Sequence, residues 1–370
     1  MVDNDQTEDL EKHYFGSDRK YHREERKRKQ AKDRSKYKKS NIKKIQKEEI
    51  TDKKNLERGR VLAIHSIGIT VESEDENYLC TLRGALKKEK TSFKNLVTVG
   101  DFVLFEKIDK EEGTIKHIEP RQTILSRADN LSRRKEQLIA ANIDQVLITV
   151  SVVNPPLKPF LVDRYIIAAE KGGMKPVIIV NKIDLLDAPD DTSFTSEQQK
   201  LLQDFIIAYS KTDIPVIAVS TIDDQGIDEL KEVMKNQSSV FSGQSGVGKS
   251  TLINKITGLD LATAEVVKKT RKGSHTTTMA QLIPLQSGGW CIDTPGIKSF
   301  GVWNLEKDEI EHYYTEIFEK GHECKFPDCS HTHEAGCAVK KAVESGEIIP
   351  LRYDSYAALL AAIGEEHKRR

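Results

Sequence analysis

An eight-residue run, from Gly243 to Ser250, constrains this chain more than any other feature of its sequence. Its sequence is GQSGVGKS, which fits the pattern G-x-x-x-x-G-K-[ST]. An apolar run over 239–241 precedes it, and a helical pattern over 249–257 follows it. This context is typical of a phosphate-binding loop, because the backbone N–H groups of the loop and the N-terminus of the helix both favour an anion.

The residues of this loop are therefore expected to bind a nucleoside triphosphate. Lys249 should reach the β- and γ-phosphates, and the hydroxyl of Ser250 should bind Mg²⁺. The expected phosphate contacts come from Gly243, Gln244, Ser245, Gly246, Val247, Gly248, Lys249, Ser250 and Thr251.

A second motif, D-x-x-G, begins at Asp293 after an apolar run and ends at Gly296. Asp293 can hold Mg²⁺ through water, and the N–H of Gly296 can meet the γ-phosphate. The basic loop over 268–278 lies between the two motifs and carries adjacent threonines. One of them can complete the Mg²⁺ shell only when a γ-phosphate is present, which makes this loop a switch element. The favoured ligand is Thr277, with Thr276 and Thr278 as alternatives.

The base-binding motif is N-K-x-D, formed by Asn181, Lys182 and Asp184 after an all-apolar run. The carboxylate of Asp184 can accept two hydrogen bonds from N1 and N2 of guanine, a donor pair that adenine lacks. The motif therefore selects GTP and disfavours an ATP-dependent enzyme. Asn181 can reach guanine and tie loops together, and the stem of Lys182 can cover the base. Ser220 and Thr221 end the next apolar run, where backbone N–H groups could contact guanine O6.

The order of these motifs is unusual. In most GTPases the phosphate-binding loop precedes N-K-x-D, whereas here N-K-x-D at 181–184 comes before Gly243. A permuted chain can still form the same sheet, since only the connectivity differs. Apolar runs alternate with helical stretches from residue 144 onward, as in a parallel sheet with crossover helices. The prediction is a circularly permuted α/β P-loop GTPase domain over 126–303.

Residues 56–125 predict a small β-barrel. Five short runs of alternating character are separated by turn signals, and they lie at 60–64, 69–71, 78–82, 102–107 and 113–118. An OB-like barrel is the favoured interpretation, and an SH3-like barrel is the alternative.

Residues 1–55 predict a basic arm that is disordered on its own. Lys and Arg equal Asp and Glu at 58 each over the whole chain, yet 19–47 carries 15 basic residues and three acidic ones. Such an arm is either a solvated tail or a ligand for a polyanion, and nucleic acid is the favoured polyanion.

A compact Cys/His cluster lies near the C-terminus, at Cys324, Cys329 and Cys337 with a histidine. Three thiolates and one imidazole suit a closed, tetrahedral structural Zn²⁺ site. His331 and His333 are rival nitrogen ligands, and His322 is a more remote candidate.

Helical patterns at 305–320, 338–344 and 353–363 flank this cluster, so a mostly helical zinc-binding domain is predicted over 304–370. No apolar run approaches the roughly 20 residues that span a bilayer. With five Cys in 370 residues, a disulfide scaffold is excluded. We therefore expect a cytoplasmic protein without a membrane partner.

The succession of barrel, permuted GTPase and Cys/His module resembles the ribosome-small-subunit-dependent GTPase A (RsgA) family over 56–370. The motifs at 181–184, 243–250, 275–278 and 293–296 all match its pattern. The resemblance implies an OB barrel, a GTPase core and a zinc finger that act in late maturation of the small ribosomal subunit. It favours His331 as the fourth zinc ligand. It also implies rRNA, GTP and GDP as partners, and we expect a monomer.

The sequence lacks the glutamine that orients the attacking water in many GTPases. GTPases of the Ras type place a Gln directly after D-x-x-G to orient water, whereas this chain has Ile297. Slow intrinsic turnover that the subunit stimulates is therefore predicted. His275 in the switch loop is the local candidate for positioning water, because imidazole both donates and accepts hydrogen bonds. The alternative function is a GTP-switched rRNA-binding module in which hydrolysis is incidental.

Overall fold

The computed structural model describes residues 56–83, 95–128, 136–186, 196–259, 280–293 and 305–368. They fall into two compact units, one within residues 56–293 and the other within 305–368. The predicted arm over 1–55 lies outside the described residues. None of the described helices combines the length and hydropathy that crossing a membrane requires.

The first unit begins with a five-stranded barrel. Its strands are β1 (Glu57–Ile64), β2 (Ile69–Ser73), β3 (Glu76–Leu82), β4 (Phe102–Lys107) and β5 (Glu112–Ile118). They pair in the order β1-β2-β3-β5-β4, and an antiparallel β1–β4 pairing closes the barrel. Alternate residues point inward, and Val61, Val103 and Phe105 are fully buried in the core. The predicted OB-like barrel is confirmed.

The barrel corner at Gly100 meets a hairpin that the sequence did not predict. The hairpin consists of β6 (Ile124–Ala128) and β7 (Glu136–Ala141). Gly100 has a φ of +88°, and a Cβ there would lie 2.0 Å from the carbonyl oxygen of Ala141. Next to it, the buried side chains of Asp101 and Arg121 form an ion pair at 2.6 Å. Strand β6 runs across the domain boundary predicted between residues 125 and 126. The position of that boundary stays a prediction.

The α/β part of the first unit contains six strands: β8 (Gln145–Ser151), β9 (Lys175–Asn181), β10 (Val216–Val219), β11 (Ser238–Ser242), β12 (Gln281–Pro284) and β13 (Trp290–Asp293). Its described helices are α1 (Pro159–Lys171), α2 (Ser196–Ser210), α3 (Ile227–Met234) and α4 (Lys249–Thr257). The strand order is β10-β9-β8-β11-β13-β12, and all neighbours are parallel except β12 and β13. All seven residues of β8 are buried, as the continuous apolar run predicted.

The barrel and the α/β sheet are joined directly. Strand β1 pairs with β12 at Ala63 and Gln281. The guanidinium of Arg60 in β1 donates to the carbonyl oxygen of Asn142 at 3.0 Å and to the hydroxyl of Ser238 at 2.9 Å. The barrel strands and the strands that bear the nucleotide motifs therefore belong to one continuous hydrogen-bonded sheet.

The second unit is mostly helical, with α5 (Lys307–Ile310), α6 (Thr315–Gly321), α7 (Ala338–Glu344), α8 (Pro350–Lys368) and a short 3₁₀ helix at Glu311–Tyr313. The single helix predicted over 305–320 is wrong. Tyr314 takes a φ of −114° and a ψ of 84°, which interrupts the helix between the 3₁₀ turn and α6. Its ring is fully buried and packs edge-on against Tyr356 of α8, so tertiary packing outweighs the local helical pattern.

Candidate nucleotide site and metal cluster

The predicted nucleotide motifs meet at one edge of the α/β sheet. The N-K-x-D motif begins at Asn181, the last residue of β9, and Ser220 follows β10. The glycine-rich loop follows β11, and Asp293 ends β13. Strands β8 to β11 are parallel, so their carboxyl ends share this edge. In open α/β sheets ligands bind outside the carboxyl ends of the strands.

The glycine-rich loop has a backbone that side chains would obstruct. Gly243, Gly246 and Gly248 have φ values of +144°, +87° and +95°. A Cβ on Gly243 would lie 2.1 Å from the carbonyl oxygen of Thr149, and one on Gly248 would lie 2.4 Å from the amide nitrogen of Asn181. Glycine is required at both positions, because the loop approaches its neighbours too closely for any side chain.

Lys249 begins helix α4 and folds back over the loop. Its ammonium donates to the carbonyl oxygens of Gly243 at 2.8 Å and Gln244 at 2.6 Å. Burial lowers the pKa of Lys249 below its usual value. Ser250 and Thr251 follow in the first turn of the helix, and both are exposed. The ammonium therefore lies over the loop, and the two exposed residues stand at the N-terminus of the helix, where an anion is favoured.

The N-K-x-D segment contacts the glycine-rich loop through one buried side chain. Asn181 is 1% exposed, and its amide nitrogen donates to the carbonyl oxygen of Val247 at 2.8 Å. Lys182 has a φ of +65°, and its ammonium donates to the carbonyl oxygen of Asn154 at 2.6 Å. Asp184 lies partly exposed in the 3₁₀ helix Ile183–Leu186. The hydrogen bond from Asn181 is the contact predicted between the two loops. The hydrogen bond from Lys182 to Asn154 was not indicated by any sequence pattern.

The loop after β10 is closed by its own hydrogen bonds. Ser220 is fully buried, its N–H donates to the carbonyl oxygen of Gln225 at 3.0 Å, and its hydroxyl accepts from the N–H of Ile222 at 3.2 Å. The Ser220 hydroxyl also lowers the pKa of Asp223 by hydrogen bonding to its carboxylate. Thr221 is partly buried beside it.

Several predicted residues lie outside the described part of the chain. Only the backbone of Asp293 is described, at the end of β13 opposite Gln281 of β12. The residues without a description are His275, Thr276, Thr277, Thr278, Gly296 and Ile297.

The second unit brings Cys324, Cys329, His331 and Cys337 together, with their ligand atoms all within 4.8 Å of one another. The Nδ1 atom of His331 lies 3.5 Å from the sulfur of Cys324 and 3.4 Å from that of Cys337. The two sulfurs are 3.8 Å apart. This cluster could hold a metal ion. His333, the rival ligand, has an 85% exposed side chain and is not part of the cluster.

Backbone N–H groups at the start of α7 face two of the sulfurs. The N–H of Ala338 lies 3.3 Å from the sulfur of Cys324, and that of Lys340 lies 3.5 Å from the sulfur of Cys337. Burial alone would raise the pKa of Cys324, but the backbone N–H groups of Val339 and Ala338, together with His331 and Cys337, lower it. Such donors favour thiolate, the form in which cysteine binds metals.

Comparison with known proteins identifies the family. A model described as RsgA GTPase matches residues 118–303, and one described as RsgA N-terminal domain matches residues 58–115. The chain belongs to the RsgA family. A small ribosomal subunit biogenesis GTPase RsgA from Chlorobaculum tepidum is 42% identical over 294 residues, which cover 77% of this chain and 90% of the relative. Its counterpart from Bacteroides fragilis is 38% identical over 285 residues, covering 76% and 88%.

Solved structures agree with the RsgA assignment. The crystal structure of YjeQ from Thermotoga maritima is 33% identical, with a TM-score of 0.65, and the match covers 83% of this chain and 98% of that one. YloQ, described as a circularly permuted GTPase, is 26% identical with a TM-score of 0.63, covering 86% and 99%. The predicted fold class, a barrel followed by a circularly permuted GTPase domain, is confirmed.

Proposed function

We propose that this chain hydrolyses GTP to GDP and phosphate and acts in late maturation of the small ribosomal subunit. The observation that carries the proposal is the contact between Asn181 and Val247, which joins the guanine-selecting and phosphate-binding loops at one edge of a permuted sheet. Relatives with this architecture are named small ribosomal subunit biogenesis GTPases, which supports the biological setting.

In the proposed site, the backbone of the glycine-rich loop and Lys249 bind the phosphates. Asp184 selects guanine, and the loop at Ser220 and Thr221 closes over the base. Mg²⁺ supplies charge neutralisation when bound with GTP. Ser250, Thr277 and Asp293 are the side chains we assign to it, and the exposed hydroxyl of Ser250 next to the helix N-terminus supports this assignment.

The water-positioning group remains a proposal from the sequence. With Ile297 after D-x-x-G, no amide side chain is available at that position to orient water, so His275 is assigned this role. Slow turnover is expected until the subunit orders the site.

Zinc is the metal we propose for the Cys₃His cluster. A tetrahedral ion with Zn–S of about 2.3 Å and Zn–N of about 2.0 Å requires S–S distances of about 3.8 Å and S–N distances of about 3.5 Å. The cluster has an S–S distance of 3.8 Å and S–N distances of 3.5 and 3.4 Å. Cys324, Cys337 and His331 thus have tetrahedral spacing, and the sulfur of Cys329, within 4.8 Å of the other donors, completes the closed structural site that we propose. The ion would hold the loop at Cys324 and Cys329 to the start of α7.

Guanine selectivity provides a direct test of the proposed base site. Replacing Asp184 with Asn should weaken GTP binding and shift the preference toward xanthine nucleotides, because an amide can donate to the extra oxygen of xanthine. The loss of GTP binding free energy is expected to be about 1.5 to 3 kcal/mol, the value of a hydrogen bond to a charged group. Competition binding with GTP, XTP and ATP measures it. Equal affinity of the parent protein for ATP and GTP would contradict the assignment.

The biological setting is tested by measuring GTP hydrolysis with and without purified small subunits. We expect GTP hydrolysis to be slow without subunits and to rise strongly when subunits are added. We also propose that the protein acts in the cytoplasm as a monomer and contacts rRNA. An unchanged rate together with GTP-dependent rRNA binding would favour the alternative, a GTP-switched binding module. Deleting residues 1–50 tests the basic arm in the same assay. The deletion should weaken binding to the subunit and leave the basal rate of GTP hydrolysis unchanged.

A further inference from the structure

The histidine of the metal cluster has a carboxylate behind it. The Nδ1 atom of His331 faces the sulfurs of Cys324 and Cys337, so its Nε2 atom points away from the cluster. There it lies 3.4 Å from a carboxylate oxygen of Glu311. The His331 side chain is fully buried and that of Glu311 is 16% exposed. A buried imidazole nitrogen and a nearly buried carboxylate therefore face each other away from bulk water.

The end of α6 packs closely against this pair at Gly321. A Cβ on Gly321, the last residue of α6, would lie 2.6 Å from the Glu311 carboxylate and 3.2 Å from Nε2 of His331. The φ of Gly321 is not in the left-handed region, so its conformation is open to any residue. A side chain there would have to displace the Glu311 carboxylate from its place beside His331, because the helix end packs directly against both residues.

The remaining surroundings fix His331 from other directions. The hydroxyl of Tyr353 donates to the backbone carbonyl of His331 at 2.8 Å, and the ring of Tyr356 lies with its centroid 6.2 Å from the imidazole. Both tyrosines belong to α8, and neither reaches Nε2. Nε2 is buried and has no hydrogen-bond partner among the described residues, and its 3.4 Å contact with Glu311 is an ion-pair distance. The carboxylate of Glu311 is thus placed to favour the imidazole tautomer that carries its proton on Nε2.

We propose that Glu311 is a positioning residue for the metal site, which holds the His331 proton on Nε2 and leaves the Nδ1 lone pair for the ion. This inference rests on the proposed zinc site. Carboxylates behind metal-binding histidines fix the tautomer and ring orientation, and their loss typically lowers metal affinity by about 10- to 100-fold. Glu311 lies 20 residues before His331 on a different element, so it also ties the segment before α6 to the metal.

The test uses the full-length zinc-loaded protein and competition with a chromophoric chelator. Glu311→Ala should weaken zinc binding by about 10- to 100-fold. Glu311→Gln should recover part of the affinity, because its amide oxygen can also accept a hydrogen bond from Nε2. Gly321→Ala should lower affinity as well, by pushing the carboxylate away. Glu319→Ala is the matched control, since Glu319 is an exposed acidic residue of the neighbouring α6 and its loss should leave affinity unchanged.

A second readout separates positioning from simple stability. Long-range ¹H–¹⁵N spectra of zinc-loaded protein should show His331 as the Nε2–H tautomer, with exchange broadening of that proton in Glu311→Ala and its recovery in Glu311→Gln. Helix content by circular dichroism shows whether each variant is folded. Parental zinc affinity and an unchanged His331 spectrum in Glu311→Ala would overturn the role of Glu311 alone. A folded parent that binds no zinc would overturn the zinc site together with it.

Discussion

Replacing Lys249 with alanine should abolish measurable GTP hydrolysis and leave the fold intact. The lysine ammonium now rests on the carbonyl oxygens of Gly243 and Gln244, so it is already held above the loop that should receive the phosphates. A contact that strengthens as charge develops in the transition state is worth about 2.7 to 4 kcal/mol, which corresponds to a 10²- to 10³-fold loss of turnover. Single-turnover hydrolysis at saturating GTP measures this loss.

The matched control for Lys249 is Lys231→Ala. Lys231 lies on α3 of the same domain with its side chain 45% exposed, and its ammonium lies 3.5 Å from the Asp228 carboxylate. Exposed ion pairs contribute little to stability, so both turnover and thermal unfolding should stay near parental values. Near-parental turnover in a folded Lys249→Ala protein would exclude this loop as the hydrolytic site.

The barrel and the α/β sheet could be predicted from sequence because their strands bury one or both faces. Strand β4 has the predicted bounds, and the buried alternation of β1 explains why its pattern was visible. The hairpin of β6 and β7 was missed, since its support is tertiary. It is held by the N–H of Ala141, which donates to the carbonyl oxygen of Val99 in the barrel corner at 2.9 Å, and no local pattern encodes that contact.

The candidate site divides in the same way. Asn181, the glycine-rich loop and the Cys₃His set were predictable, because their chemistry requires particular residue types at particular spacings. The anchor of Lys182 was not, since its partner is a backbone carbonyl that any residue at position 154 would offer. Glu311 was equally hidden, because it meets His331 only in the folded unit, where Gly321 at the end of α6 packs against both side chains.

Replacing Cys337 with alanine should remove the bound zinc and unfold the C-terminal unit. Cys337 has two roles: it is a predicted ligand, and its sulfur accepts from the N–H of Lys340 at the start of α7. Structural zinc sites bind the ion with about 10–16 kcal/mol in zinc-finger peptides, and folding and binding are coupled there. Losing this binding free energy should unfold the unit, because a domain this small gains little folding free energy from its own hydrophobic core, here built around Ile310 and Ile317.

Elemental analysis and limited proteolysis measure this prediction. The parent protein should hold one zinc per chain, and Cys337→Ala should hold none and be cleaved within residues 305–368. Cys80→Ala is the control, because Cys80 is a buried thiol of the barrel, away from the cluster, whose pKa burial raises to about 11. That variant can loosen the barrel core but should keep its zinc. A metal-free parent that resists proteolysis throughout 305–368 would show that packing alone folds this unit, and the four donors would then need another explanation than structural zinc.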